Sequence, residues 1–164
     1  MKKIMMIAVM MLMSMGAFAQ EAGKMAVGAT LTDYLDSKSR IAIGGKFQYS
    51  INETFRAEAD LKFYPPKNHV TIFNPTVNLH YLIPIIDKLY VYPLAGVGLW
   101  GYSFNPEHGD SDFDAILTVK AGAGAEYYIT DQIKGLFETY YQIAKKGDIK
   151  NSKPVVSIGA AYCF

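Results

Sequence analysis

The chain has 164 residues, with 16 Lys and Arg against 15 Asp and Glu, giving a formal charge of +1. That balance excludes a strongly basic nucleic-acid surface, and a lone cysteine excludes an internal disulfide framework. The length suits one domain.

Lys2 and Lys3 start a basic segment, Ile4 to Met15 is almost unbroken apolar sequence, and Ala17-Phe18-Ala19 has the form of a signal-peptidase site. The run is shorter than the roughly 20 residues a membrane helix needs. Residues 1–19 are therefore predicted to be a cleaved signal peptide, with Gln20 opening a mature domain over 20–164. Composition breaks at the same place: seven of the eight Met precede residue 16 and all twelve Tyr follow it. No Cys directly follows the cleavage site, so no lipoprotein anchor is expected. Removing Lys2 and Lys3 takes the formal charge to −1.

Eight strand-length runs follow, near 24–32, 41–50, 54–64, 70–82, 89–102, 115–129, 133–144 and 154–164. In the third, Phe55, Ala57, Ala59, Leu61 and Phe63 oppose Arg56, Glu58, Asp60 and Lys62. In the fourth, Phe73, Pro75, Val77, Leu79 and Tyr81 oppose Asn74, Thr76, Asn78 and His80. The sixth sets Leu117 to Tyr127 against Thr118 to Glu126. The eighth puts Pro154, Val156, Ile158, Ala160, Tyr162 and Phe164 on one face. A period of two is the strand signature. Short connections are expected near 51–53, 84–88 and 130–132, and longer polar ones near 33–40, 65–69, 103–114 and 145–153. Long and short connections thus alternate between the two ends.

Alternation alone does not say which face is inside; a soluble ligand-binding barrel has the same period. The aromatics favour an outward apolar face. Tyr49, Phe55, Tyr81, Tyr127, Tyr162 and Phe164 fall at the turn end, and Phe63, Phe73 and Tyr141 near the loop end, as two membrane interfaces would select. Facing residues must share a side, so each turn needs an odd residue count. A three-residue turn pairs Tyr49 with Phe55 and puts Lys46 opposite Glu58; a slip of two puts Lys46 opposite Asp60. Lys134 lies diagonal to Glu126 across the 130–132 turn.

The export signal, eight amphipathic strands and terminal Phe164 resemble the small eight-stranded bacterial outer-membrane proteins of the OmpA/OmpX type. Tyr90-Val91-Tyr92-Pro93-Leu94-Ala95-Gly96-Val97-Gly98 is similar to a strand often met in that group. The resemblance implies an all-β, up-and-down transmembrane barrel in the outer membrane. It also implies that assembly machinery reads Tyr162 and Phe164 in the last strand. Because that strand ends the chain, no further peptidoglycan-binding domain is expected.

The inward set is expected to hold Lys24, Lys46, Arg56, Lys62, Lys120 and Lys134 with Glu58, Asp60, Glu126 and Glu138. An eight-stranded barrel is only wide enough for side chains, so mixed charges there are expected to neutralise one another rather than form an ion path. Gly96, Gly98, Gly122 and Gly124 lie at i, i+2 spacing with no following helix, which argues against a phosphate loop and for room beside Tyr or Trp100. Asp110-Ser111-Asp112-Phe113-Asp114 resembles the start of a calcium loop, but Ala115 replaces the required Gly and Ala121 the final Glu. Loose cation binding with Glu107 and His108 is the residual reading. Ser111 has no nucleophile elbow and His108 no orienting acid. His80 reads as a hydrogen-bonded interior residue, and Cys163 as a small inward one.

The expected function is therefore non-enzymatic. The protein would be a structural or interaction barrel with a side-chain plug, no cofactor or metal, and four external loops open to an extracellular ligand. The alternatives are a narrow porin-like channel for small solutes, a lipid-modifying rim enzyme and a soluble periplasmic ligand-binding barrel. Outer-membrane lipid and the assembly machinery are the expected partners; nucleic acid is not.

Overall fold

The computed structural model describes residues 23–35, 41–67, 70–104, 112–146 and 149–164. The predicted signal peptide lies outside them. The strands are β1 (Met25–Tyr34), β2 (Ala42–Ser50), β3 (Phe55–Lys67), β4 (Val70–Tyr81), β5 (Ile83–Ile86), β6 (Leu89–Phe104), β7 (Asp112–Tyr128), β8 (Ile133–Lys146) and β9 (Ile149–Cys163). Eight long strands pair antiparallel in the order β4-β3-β2-β1-β9-β8-β7-β6, and β4 also pairs with β6, so the sheet closes on itself. Closure leaves no long open edge and satisfies the backbone internally.

Strands run further than their hydrophobic pattern does. β3 continues to Lys67 and β4 starts at Val70, where a loop over 65–69 is expected; β8 and β9 likewise take up most of 145–153. β6 and β7 extend to Phe104 and Asp112 within the expected 103–114 loop. The hydrogen-bonded ladder needs only backbone, so it persists where the apolar alternation has stopped.

The expected turn over 84–88 is also shorter. β4 resumes after Leu82 as β5, which pairs with the start of β6. The chain reverses at Asp87-Lys88, with Lys88 at φ 71°, an unusual conformation for a residue with a Cβ. Two residues would break facing parity, and the register shift between Pro84 and Ile86 restores it. The other two turns are alike. Asn52 Oδ1 accepts from the backbone N–H groups of Thr54 (2.8 Å) and Phe55 (2.7 Å), and Thr130 Oγ1 accepts from that of Ile133 (2.9 Å).

The β2–β3 ladder adopts the slipped register. Tyr49 faces Ala57, and Lys46 faces Asp60. In β7–β8, Tyr128 faces Lys134 and Glu126 faces Leu136, which leaves Lys134 and Glu126 diagonal. β8 to β9 changes parity: Tyr141 faces Pro154 and Glu138 faces Ser157. The inward face is therefore even-numbered through β8 and odd-numbered in β9.

The barrel is inside out relative to a soluble protein. Leu31, Val77, Leu117 and Ile158 are 50–61% exposed on its outer wall, while Lys62, Arg56 and Glu126 are 1–2% exposed within it. An outer wall of this kind excludes the soluble ligand-binding reading, because water would face a continuous apolar belt. Register pairs rings along the belt: Phe55 with Tyr81 at 5.3 Å and Phe63 with Phe73 at 5.3 Å. Inside, Tyr34, Tyr64, Trp100 and Tyr140 belong to one apolar cluster. Ala26, Leu136, Ala161 and Cys163 form a smaller one at the turn end.

Candidate functional site

The even-numbered positions of β2, β3, β7 and β8 place nine charged side chains in the lumen. Lys46, Arg56, Glu58, Asp60, Lys62, Lys120, Glu126, Lys134 and Glu138 are all buried. Their contacts sort them into three triads that follow one another along the lumen.

At the turn end, Glu126 takes Arg56 at 2.7 Å and Lys134 at 3.1 Å. In the middle, Lys46 lies 3.0 Å from Glu58 and 2.8 Å from Glu138. Towards the loop end, Asp60 takes Lys62 at 2.8 Å and Lys120 at 2.7 Å. The formal charges are thus +1, −1 and +1, so each triad is countered by the next rather than within itself. Facing in the ladder and pairing in the lumen differ: Lys46 faces Asp60 across the strands but reaches Glu58 and Glu138.

Three of these contacts cross the lumen. Lys46 reaches Glu138, Arg56 reaches Glu126 and Lys120 reaches Asp60, each between strands three places apart around the ring. Neutral groups supply the remaining bonds. Gln48 Nε2 donates to Glu58 at 2.7 Å, Asn78 Nδ2 donates to Glu58 at 2.8 Å and Asp60 at 3.1 Å, and the Tyr92 hydroxyl donates to Glu138 at 3.0 Å. Buried carboxylates hold their charge at tolerable cost only with such partners. Sequence reading places Gln48 and Tyr92 in no network; their even parity on an amphipathic strand is the signal that finds them.

Rings fill the rest. Arg56 lies 5.0 Å from the Tyr92 ring centre, and His80 stacks on Tyr92 at 4.6 Å. Lys62 and Lys120 both lie over Tyr140, at 5.5 and 4.8 Å. Two glycines make this possible. A Cβ on Gly124 would meet the Tyr92 ring, and one on Gly122 would meet Tyr140 and the Thr139 carbonyl.

Glu58, His80 and Glu138 could jointly approach a metal ion, their ligand atoms lying within 4.8 Å of one another. Two features oppose it. The Lys46 ammonium already stands between the carboxylates. Arg56 can only donate, and its Nη2 lies 3.1 Å from His80 Nδ1, so Nδ1 is the acceptor. A neutral His80 then carries its proton on Nε2, the nitrogen 3.7 Å from Glu58, and that proton would have to leave before a metal bound.

Lys24 is half-buried at the turn-end mouth. It helps line a cavity of about 320 Å³ with Ser50, Glu53, Tyr90, Glu126 and Tyr128. A separate cavity beside Gln48, Arg56, Lys134 and Cys163 holds only about 10 Å³, roughly the centre volume of one water. Cys163 is buried and faces inward. Tyr162 and Phe164 lie on the outer face with ring centres 6.5 Å apart. Glu107, His108, Asp110 and Ser111 are outside the described residues. Asp112 and Asp114 fall in β7.

A family model described as "Outer membrane protein beta-barrel domain" matches residues 5–164. Among solved structures, the N-terminal β-barrel domain of Pseudomonas aeruginosa OprF superposes with TM-score 0.68 at 16% identity, covering 88% of this chain and 100% of that one. Neisserial surface protein A gives 0.66 at 15% identity over 85% and 94% of the two chains. Ail, the attachment invasion locus protein of Yersinia pestis, in complex with the heparin analogue sucrose octasulfate, gives 0.57 at 17% identity over 87% and 99%. No curated protein sequence matches the chain. At these identities the structural likeness carries the fold alone.

Proposed function

The chain belongs to the outer membrane protein β-barrel domain family, and from that premise we propose that it is a non-enzymatic barrel with a side-chain plug, acting through its external loops. Its place is the bacterial outer membrane. The observation that carries the reading is the lumen. Three interlocked triads span it, and Tyr34, Tyr64 and Trp100 pack above them, with Tyr34 5.4 Å from Tyr64 and 5.8 Å from Trp100. A solute crossing would have to separate buried ion pairs, which is costly when either partner is left alone.

With transport closed, the loops are the surfaces left for a partner. A barrel of similar shape, Ail, has been seen with a heparin analogue, which supports a ligand-meeting role for a barrel of this shape. A narrow channel is the second reading, and the turn-end cavity reaching Glu126 favours it. Single-channel recording in planar bilayers separates the two. The plugged barrel gives no steady conductance; a stable open level carried by the purified parent protein replaces it with the channel reading.

In the same proposal, Tyr162 and Phe164 act as the signal for barrel assembly. Phe164 closes the seam: its N–H donates to the Met25 carbonyl at 2.9 Å, and the Met25 N–H donates back at 3.1 Å.

A further inference from the structure

The same spacing recurs on the approach to each of the three turns: Tyr49-Ser50-Ile51, Tyr81-Leu82-Ile83, where Ile83 opens β5, and Tyr127-Tyr128-Ile129. In each, the tyrosine is 41–51% exposed and the isoleucine two places on is 38–62% exposed. Ile51 and Ile129 lie one residue past β2 and β7, but their N–H groups donate to the Phe55 and Ile133 carbonyls, both at 2.9 Å, which continues the ladder register, and two residues along a ladder return to the same face. Each isoleucine therefore extends the apolar wall beyond the tyrosine ring, by about 5 Å along the axis for a strand tilted by about 40°. An aromatic girdle ordinarily marks the membrane edge, with polar residues beyond. Here polarity begins only at the turn tips, with Asn52-Glu53, Asp87-Lys88 and Asp131-Gln132.

We propose that Ile51, Ile83 and Ile129 form an apolar collar buried in lipid, so that the membrane boundary at this end runs at the turn tips rather than at the tyrosines. Continuity identifies the occupant. The collar shares the face and parity of the lipid-facing wall and is uninterrupted from it. One side reaches further: Ile85 and Ile86 in β5 are 53% and 63% exposed. The β4–β6 hairpin thus sinks deepest, and the barrel axis leans towards it.

The test uses nitroxide labels on the full-length barrel in phosphatidylcholine vesicles, in a Cys163→Ala background. Labels at Ile129→Cys and Ile85→Cys are compared with Ala59→Cys on the mid-wall and Asp131→Cys at a turn tip. Heat-modifiable migration confirms that each labelled barrel is folded, and Ile51→Cys replaces either site that fails. Collisions with oxygen, which concentrates in hydrocarbon, are set against those with a water-soluble nickel chelate. The expected result is an oxygen-to-nickel ratio at the collar several-fold above that at Asp131 and close to that at Ala59. Nickel-dominated collisions would place the collar in water and overturn the proposal. Protection from both reagents would overturn it too, since a protein surface would then be the occupant.

Discussion

The Lys46 ammonium lies 2.8 Å from Glu138, a residue 92 positions away in sequence and three strands away around the ring. It lies 3.0 Å from Glu58 on the neighbouring strand as well. One cation therefore holds two carboxylates, and the two ends of this arrangement are not equivalent.

That inequality sets the first prediction. Lys46→Met leaves Glu58 and Glu138 facing each other without their shared cation, and should cost about 3 kcal/mol, the lower end for breaking a buried pair. Glu58→Gln leaves Lys46 with Glu138 and should cost less. The double variant should recover part of the Lys46→Met loss, because one stranded charge has gone. Folding titrations into lipid measure the cycle. Additive costs would mean that the three side chains do not act as a unit.

The second prediction concerns facing. Arg at Ala59 or Ala123, both exposed on the outer wall, should destabilise by about 2–4 kcal/mol near mid-membrane. Ala59→Leu should be close to neutral. An open lumen would have let Arg replace the inward Thr118 more easily, but Thr118 is only 1% exposed in a filled interior, so Thr118→Arg should be costly through overpacking. Equal stability of Ala59→Arg and Ala59→Leu would reverse the assignment of faces.

Close packing in the lumen gives the third. A methyl on Gly124 strikes the Tyr92 ring, whereas one on Gly45 meets nothing within 4 Å. Gly124→Ala should lose about 1–3 kcal/mol, and Gly45→Ala should be neutral or slightly stabilising, since a strand glycine sacrifices more chain entropy on folding than alanine does. The same folding titration distinguishes them. Equal effects would indicate that Tyr92 has room to move.

Much of this was legible in the residues. Alternation in β3, β4 and β7 identifies strands and faces because a barrel wall separates two media and every second residue must suit each one. Strand ends were less legible: the apolar alternation stops before the ladder does, so Lys145 and Lys146 read as loop although their backbone remains in the ladder. Register was open by two residues, since a slip of two preserves every facing and leaves Lys46 an acid to meet in either case. The cross-lumen partners were not legible at all. Which strands stand three places apart at one height depends on stagger around the closed ring, and no local pattern encodes that. Lys46 with Glu138 and Arg56 with Glu126 follow from closure, not from either strand alone.

The final prediction concerns the seam between β1 and β9. Phe164 contributes a backbone pair with Met25 and an aromatic ring beside Tyr162. Deletion removes both contributions, while Phe164→Ser keeps the backbone pair and removes the ring. If the ring is what assembly machinery reads, both variants should accumulate as unassembled material in the periplasm of an expressing cell. For spontaneous folding of purified protein into lipid, where no machinery acts, Phe164→Ser should fold nearly as well as the parent, and the deletion should fold less well because the seam loses two hydrogen bonds, each worth about 1 kcal/mol. Heat-modifiable gel migration scores both settings. Full assembly of Phe164→Ser in cells would refute a signal role for the ring and leave Phe164 with only its part in closing the barrel.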